Sequence, residues 1–502
     1  MGKALKKFLI NGAVLSLGSI ILNAVDNAFT IYLSGRIGAD GIGLFQLTMS
    51  VYRFGVTLAL SGISLGTTRV VSEELSLGNK KGVVSAQRKS FFLSLLFGLL
   101  SGSFLFFLSP YLSSSVLNDI RTLSSLRALS LTLPFLSVSS SISGYFTAVR
   151  RITKSALGGF FSYFVRISVS VYFLSFLGIK STEGSLLSIV YGMLFSEIAN
   201  TIYLFICAEL DKRRYRFDNK DEGKQISRIL KISMPVALSS YIRSGLYTLE
   251  QLLIPIGLRK FSGSSEFSLA GYGLIRGMVM PVLLFGSAFI YSFSSLLVPE
   301  LSECKKLNNT LRAGRIVERA LSVTLAFGIG VSAFIYFFSG DLSVLLYGGP
   351  AAAHFLKMLS PLCAFMYIDG VVDNLLKGLG EEISVMRYNI IDSALSALLV
   401  YLLVPIMGVE GYVVVILVSE IFNTYLSLRR LIRVCSIRNF LRRQVVTFSV
   451  FGLILSGGCA ILAKSFPIGT GSVFSLILGG LVYVGFGCVY LKKQLFSAKK
   501  LL

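Results

Sequence analysis

Charged residues make up only 15% of this 502-residue chain, and acidic ones are the scarcer, with 25 Asp and Glu against 48 Lys and Arg. Tryptophan is absent, proline occurs ten times and histidine once. That lone residue, His354, gives a histidine-dependent membrane transferase little to stand on. The six cysteines, at 207, 304, 363, 435, 459 and 488, have neither metal-ligand nor disulfide-framework spacing, so no metal site and no bridged core are expected. The sequence also has no G-x-x-x-x-G-K-[ST] loop, no H-E-x-x-H and no Cys-x-x-Cys. A nucleophile, base and metal cannot be assembled, so the chain is not expected to be an enzyme or to carry a cofactor. Without a nucleotide domain, any movement it drives must draw on a Na+ or H+ gradient, the membrane potential or the substrate gradient.

Apolar residues are plentiful, at 54%, and they come in long runs from end to end. A membrane helix needs roughly 20 consecutive apolar residues. Interruptions by charge or by Gly and Pro place spans at 8–33, 43–66, 90–110, 122–147, 156–178, 185–208, 229–256, 267–298, 318–338, 351–376, 385–404, 409–428, 445–463 and 470–491. The first run follows Lys3, Lys6 and Lys7 as a signal peptide would, but it lacks a convincing small-x-small cleavage site, opens a series of similar segments and is read as span 1. The expected fold class is therefore an all-α polytopic membrane protein with 14 transmembrane helices.

The net charge of +23 would suggest a nucleic-acid partner in a soluble protein. Here it reads as topology signal and as attraction to anionic membrane lipids, with no nucleic acid. With a cytoplasmic N-terminus, 36 of the 48 basic residues fall in inside segments, six fall in outside loops and six lie within spans. That asymmetry supports both termini cytoplasmic in a multi-pass cell-membrane protein.

A shift of 230 residues lays Gly41, Gly43 and Leu44 on Gly271, Gly273 and Leu274, Ser64 on Ser294, and Ser72-Glu73 on Ser302-Glu303. Six spans separate the copies, so both halves enter the membrane in the same sense. Two pseudo-symmetric six-helix lobes follow, a layout suited to alternating access. The expected organisation is an N-terminal lobe at 1–208, a cytoplasmic linker at 209–228, a C-terminal lobe at 229–428, and spans 13 and 14 with a cytoplasmic tail at 429–502. Pro134, Pro235, Pro281 and Pro361 are kink candidates, and Gly55, Gly62 and Gly66 allow close packing or bending.

A charge inside a span costs about 3 kcal/mol on insertion scales unless it meets a partner or a wet cavity, so each one there invites a functional reading. The basic ones are Arg53, Arg127, Arg166, Arg243, Arg276 and Lys357; the acidic ones are Asp26, Glu197, Glu250, Asp369, Asp373, Asp392 and Glu420. Arg53 lies about ten residues into span 2 and Arg276 about nine into the corresponding span 8, although not at repeat-equivalent positions. The arginine fork grips phosphate oxygens bidentately, so a pair on opposing lobes could hold a diphosphate; the competing reading is structural pairing with a carboxylate. Arg243 precedes Glu250 by two turns on span 7 and is a third substrate-binding candidate. Asp26, Glu250 and Asp392 are candidates for ion coupling. Asp369 and Asp373, at i and i+4 on span 10, are gate candidates or else a solvated helix end.

The stretch Ile37-Gly38-Ala39-Asp40-Gly41-Ile42-Gly43-Leu44-Phe45-Gln46, with Val51-Tyr52-Arg53, Ser61-Gly62-Ile63-Ser64 and Val71-Ser72-Glu73-Glu74, resembles the stage V sporulation protein B group. That group belongs to the polysaccharide and lipid-linked oligosaccharide exporters of the MATE-like flippase superfamily. Met234-Pro235-Val236 through Glu250 and Ile254-Pro255 is similar to the group's second-lobe opening. The resemblance implies two six-helix lobes that alternate between inward-open and outward-open states. It also implies cavity arginines for a substrate diphosphate, with Arg53 and Arg276 on the helices that supply them. The chain departs from many relatives in that Asp26-Asn27-Ala28-Phe29-Thr30 has no basic residue before Arg36.

The expected function is alternating-access flipping of a polyprenyl-pyrophosphate-linked glycan, with lipid II for spore cortex peptidoglycan the favoured cargo. The alternatives are a cation-coupled multidrug antiporter and a transport-inactive scaffold in cell-wall assembly. Cell-wall synthesis proteins are the expected protein partners, and a monomer is the expected working unit.

Overall fold

The computed structural model describes residues 2–176, 181–212, 225–307 and 309–435. Spans 13 and 14 and most of the linker lie outside the described residues. Among the described residues the regular elements are all helical. Seven of the helices are long and apolar enough to cross a membrane, or eight when one bent pair counts as a single span. Large apolar side chains point outward, Phe107 at 79%, Phe164 at 71% and Ile406 at 74% exposure. Apolar surface on that scale is costly in water and favourable against lipid tails.

The first twelve predicted spans fall largely on helix, span 5 as far as Phe176, and some of their joints differ from expectation. Spans 1 and 2 lie on α1 (Gly2–Leu60), which non-helical backbone at Gly38, with φ of 76°, divides into two helices between the predicted 8–33 and 43–66. No atom lies within 4 Å of where a Cβ on Gly38 would stand, so the demand there is on backbone conformation rather than space. A break at Ser61 and Gly62 leads to α2 (Ile63–Ser76). Then come α3 (Lys80–Tyr111), α4 (Leu123–Ser130) and α5 (Thr132–Ala148). Pro134 sits in the first turn of α5, where its missing N–H is no loss. Next are α6 (Ile152–Phe176), α7 (Thr182–Lys212) and α8 (Gln225–Ser262). Pro235 lies inside α8 without interrupting it.

Span 8 is divided into α9 (Ser265–Gly273), a π-helical turn at Leu274–Val279, α10 (Met280–Phe285) and α11 (Ser287–Lys306). The helix α12 (Thr310–Tyr347) begins before its predicted 318–338 and is kinked by non-helical backbone at Phe338, where the predicted span ends. Span 10 bends by 54° at Pro361, between α13 (Ala353–Leu359) and α14 (Leu362–Gly378). Spans 11 and 12 lie on α15 (Glu382–Cys435), which non-helical backbone at Gly408 divides into two helices between the predicted 385–404 and 409–428.

Two compact units result, one of Met1–Gly18 with Leu44–Ile256 and one of Ser19–Gly43 with Gly257–Leu502. In the first, Ile63, Val70, Val83, Val138, Ile142, Tyr145 and Phe146 form the core between α2, α3 and α5. Hydroxyls join its helices: Ser137 Oγ lies 2.7 Å from Ser94 O and 2.9 Å from Ala59 O, and Ser101 Oγ donates to Gly55 O at 2.7 Å. Such bonds hold helices where lipid offers no hydrophobic drive. In the second unit, Val317, Leu321, Val371, Val372, Leu375 and Leu376 from α12 and α14 are buried together.

The compact units divide after Gly18, Gly43 and Ile256. Most of α8 belongs to the first unit, because its hydroxyls bond the backbones of α1 and of the Ser61-Gly62 break. Residues 19–43 belong to the second, where glycines press α1 against α9. A Cβ on Gly43 would stand 2.1 Å from Leu269 O, and one on Gly273 would stand 1.9 Å from Ala39 O. The two glycines matched by the 230-residue shift thus meet each other.

At one end of the first unit Arg228 of α8 bridges Glu73, at 2.8 Å, and Glu74. Glu74 is 3% exposed and also accepts from Asn79 Nδ2 at 2.8 Å and Gln225 Nε2 at 3.2 Å. Arg228→Ala would leave a buried carboxylate without its cation. Because Arg228 is itself 35% exposed, the expected cost is about 2 kcal/mol, below the range for a fully buried pair. A lowered melting midpoint in detergent is the expected result, and an unchanged midpoint would refute the clamp.

Candidate functional site

Polar contacts join α8 to α1 along the first unit. Thr248 Oγ1 donates to Ser50 O at 3.2 Å, Thr57 Oγ1 lies 3.0 Å from Ser244 Oγ, and Ser233 Oγ donates to Gly62 O at 3.1 Å. This seam positions Arg53, whose exposed guanidinium donates from Nη1 to Tyr247 OH at 3.5 Å. Arg243 is also exposed and precedes Tyr247 by one turn, so Arg53 and Arg243 flank the same tyrosine. Glu250, two turns further along α8, is 8% exposed and sits beside Gln251 at 1%. Two substrate-binding candidates are therefore presented at the surface of one unit, while Glu250 is withdrawn into its interior.

Arg276 occupies the π-helical turn of the second unit. Widening the helix by one residue re-aims side chains, and such turns recur at functional sites. Its Nε donates to Tyr412 OH at 2.6 Å, and its guanidinium carbon lies 5.9 Å from that ring's centre. Tyr412 is fully buried on α15, just past the Gly408 kink, and gives the half-buried arginine a rigid mount.

In the same unit, α14 and the two arms of α15 share a polar network. Asn423 Nδ2 donates to Asp369 Oδ2 at 3.0 Å and to Asn389 Oδ1 at 3.3 Å, and Asn389 Nδ2 donates to Asp373 Oδ2 at 3.2 Å. Ser419 Oγ donates to Asp392 Oδ1 at 2.6 Å. Asp369 Oδ1 and Asn423 Oδ1 are buried with no hydrogen-bond partner. Asp369 and Asp373 are half-buried members of an amide network. Lys357 does not reach them; it lies on α13, 5.2 Å from the Tyr336 ring.

The ion-coupling candidates are divided, Glu250 in the first unit and Asp26 and Asp392 in the second. Asp26 is half-buried on α1, and its backbone carbonyl accepts from Thr30 Oγ1 at 2.9 Å. Of the other intramembrane cations, Arg127 stacks 5.4 Å from Phe106 and Arg166 6.0 Å from Tyr163. A search for charge alone passes over Asn389, Ser419 and Asn423. Two carboxamides inside otherwise apolar spans were the available signal.

Comparison with known proteins agrees with this architecture. Stage V sporulation protein B of Bacillus subtilis (strain 168) is 24% identical over 460 residues, covering 89% of this chain and 88% of that protein. Sporulation protein YkvU of the same organism is 19% identical over 405 residues, covering 80% and 88%. Among solved structures, the lipid II flippase MurJ in an inward closed conformation matches with a TM-score of 0.70 at 14% identity, covering 97% of this chain and 100% of that one. An inward-facing multidrug resistance MATE family transporter of the MOP superfamily matches at 0.66 and 14% identity, covering 85% and 99%. At such identities the structural likeness is one of fold. Apolar helices and membrane-protein relatives together make the chain a multi-pass membrane protein. The family model described as polysaccharide biosynthesis protein matches residues 8–305, more than half of the sequence, and the chain belongs to that family.

Proposed function

We propose that the chain flips a polyprenyl-diphosphate-linked glycan across the cell membrane, with lipid II for spore cortex peptidoglycan as its cargo. The observation that carries this reading is the mounting of permanent cations on intramembrane helices, Arg276 on Tyr412 and Arg53 beside Tyr247. A diphosphate is the anion that such forks grip best. The names of the relatives support the same reading, one being a lipid II flippase and one a stage V sporulation protein. In this proposal Arg53, Arg276 and, more weakly, Arg243 contact the diphosphate, both termini are cytoplasmic and the working unit is a monomer. Cell-wall synthesis proteins would supply and consume the cargo. Purified protein in liposomes, loaded with lipid II on one leaflet, tests it: movement under an imposed gradient is expected, and its absence from folded protein under every gradient would refute lipid II as cargo.

Ion coupling is assigned to the network of Asp369, Asp373, Asn389, Asp392, Ser419 and Asn423, with Na+ or H+ as the ion and Asp26 and Glu250 as further candidates. Its partnerless buried oxygens favour a cation or proton at this place. Asp392→Asn and Asn423→Leu are expected to slow gradient-driven movement about tenfold or more, each removing roughly one charged or buried hydrogen bond. Equal wild-type rates with and without Na+ and pH gradients would remove the coupling. The same network also favours the second reading, a cation-coupled multidrug antiporter. Gradient-dependent efflux of a cationic dye with no lipid II movement would select that alternative.

A further inference from the structure

A small cavity in the first unit takes no part in the proposed transport. About 190 Å³ in volume, it lies between α3, α5 and α7, with Gln87, Arg88, Phe91, Ile142, Phe205 and Glu209 in its wall. Gln87 is only 4% exposed, yet its Oε1 has no hydrogen-bond partner. Gln87 lines the cavity and its buried amide oxygen is left without a donor, which points to a ligand that brings one. Arg88, next in sequence and exposed, adds a fixed positive charge at the mouth. The far wall is apolar: Phe91 and Phe205 meet with ring centres 5.9 Å apart. Phe205 is 43% exposed and continues into Ile202 and Ile206, exposed at 55% and 53%. Lys80, Lys81, Arg88 and Lys89 cluster at this end of α3, marking it by charge as the membrane–water boundary.

Together these features describe an amphiphile with an anionic head, a hydrogen-bond donor on that head, and a tail. Glu209 at the rim narrows the class further. A carboxylate beside the charge disfavours a phosphomonoester dianion but accepts from a hydroxyl. We infer that this cavity is a binding site for the phosphoglycerol headgroup of an anionic membrane lipid. A headgroup hydroxyl donates to Gln87 Oε1, the phosphodiester faces Arg88, and an acyl chain runs along Phe91, Phe205 and Ile202.

Delipidated full-length protein in detergent, titrated with dioleoylphosphatidylglycerol and read by native mass spectrometry, tests the site. One saturable adduct is expected, weakened at least tenfold by Gln87→Leu and by Arg88→Ala and unchanged by Lys80→Ala. Dioleoylphosphatidylcholine, which lacks the hydroxyl donors, is expected to bind at least tenfold more weakly. Because Arg88 is exposed, its alanine variant is expected to fold even if the Gln87 variant does not. Equal binding of the two lipids, or adducts indifferent to Arg88→Ala, would overturn the assignment. So would glycerol 1-phosphate alone binding as tightly as the lipid, or no saturable adduct at all, the outcome expected if the cavity holds water.

Discussion

Arg276→Ala is expected to slow lipid II movement in liposomes about 100-fold, and Arg53→Ala by a similar factor. A charged hydrogen bond is worth roughly 1.5–3 kcal/mol, and a bidentate grip on a diphosphate uses two, so losing about 3 kcal/mol of cargo stabilisation corresponds to that factor. Arg276→Lys separates charge from shape. It keeps the cation but gives up the planar fork and the Nε bond to Tyr412, and a loss of about tenfold is expected. Tyr412→Phe leaves the guanidinium in place and removes only its 2.6 Å mount, so its effect should be smaller than that of the alanine change. Arg243→Ala, one turn from the tyrosine that Arg53 touches, should fall between. Wild-type rates in folded Arg53→Ala and Arg276→Ala proteins would remove the diphosphate clamp and favour the scaffold reading.

Much of the helix pattern was legible because lipid imposes a length of roughly 20 apolar residues on every crossing and biases Lys and Arg to one side. Two joints were legible as well: Gly38 and Gly408, with φ of 76° and 63°, break the helix between predicted spans 1 and 2 and between spans 11 and 12. Nothing in the residue types marks a π-helical turn at Leu274–Val279, although Pro361 did mark the bend of span 10. For the candidate site, charge in an apolar run exposed Arg53, Arg276, Asp369, Asp373 and Asp392. Their partners stayed hidden, since Tyr247 and Tyr412 lie 194 and 136 residues from the arginines they meet, and a tyrosine in a span is unremarkable until that contact is known. The division into compact units was hidden for a related reason. The repeat records which helices correspond, whereas membership of a compact unit follows from side chains such as Thr248 and from the glycines of α1 and α9.

Those glycines carry the second large expectation. Gly273→Leu and Gly43→Leu should each abolish recovery of folded, monodisperse protein. At Gly273 the new Cβ would stand 1.9 Å from the carbonyl oxygen of Ala39 and at Gly43 2.1 Å from that of Leu269. Neither neighbour is a side chain that can turn aside, so α1 and α9 must separate. Overpacking a core costs about 1–3 kcal/mol when side chains can adjust, and a backbone-to-backbone clash lies above that range. Even Gly273→Ala should be destabilising, since the Cβ alone makes the collision. Gly159→Leu and Gly340→Leu are the matched controls: both glycines are helical, neither has an atom within 4 Å of its would-be Cβ, and both variants should elute and melt like wild type. A Gly273→Leu protein that behaved like its controls would mean that the two helices do not cross at this point. If the crossing stands, it explains why the clearest fragment of the internal repeat is a glycine pair. Each copy of the repeat contributes one glycine to the same contact, and both must lack a side chain for two backbones to approach so closely.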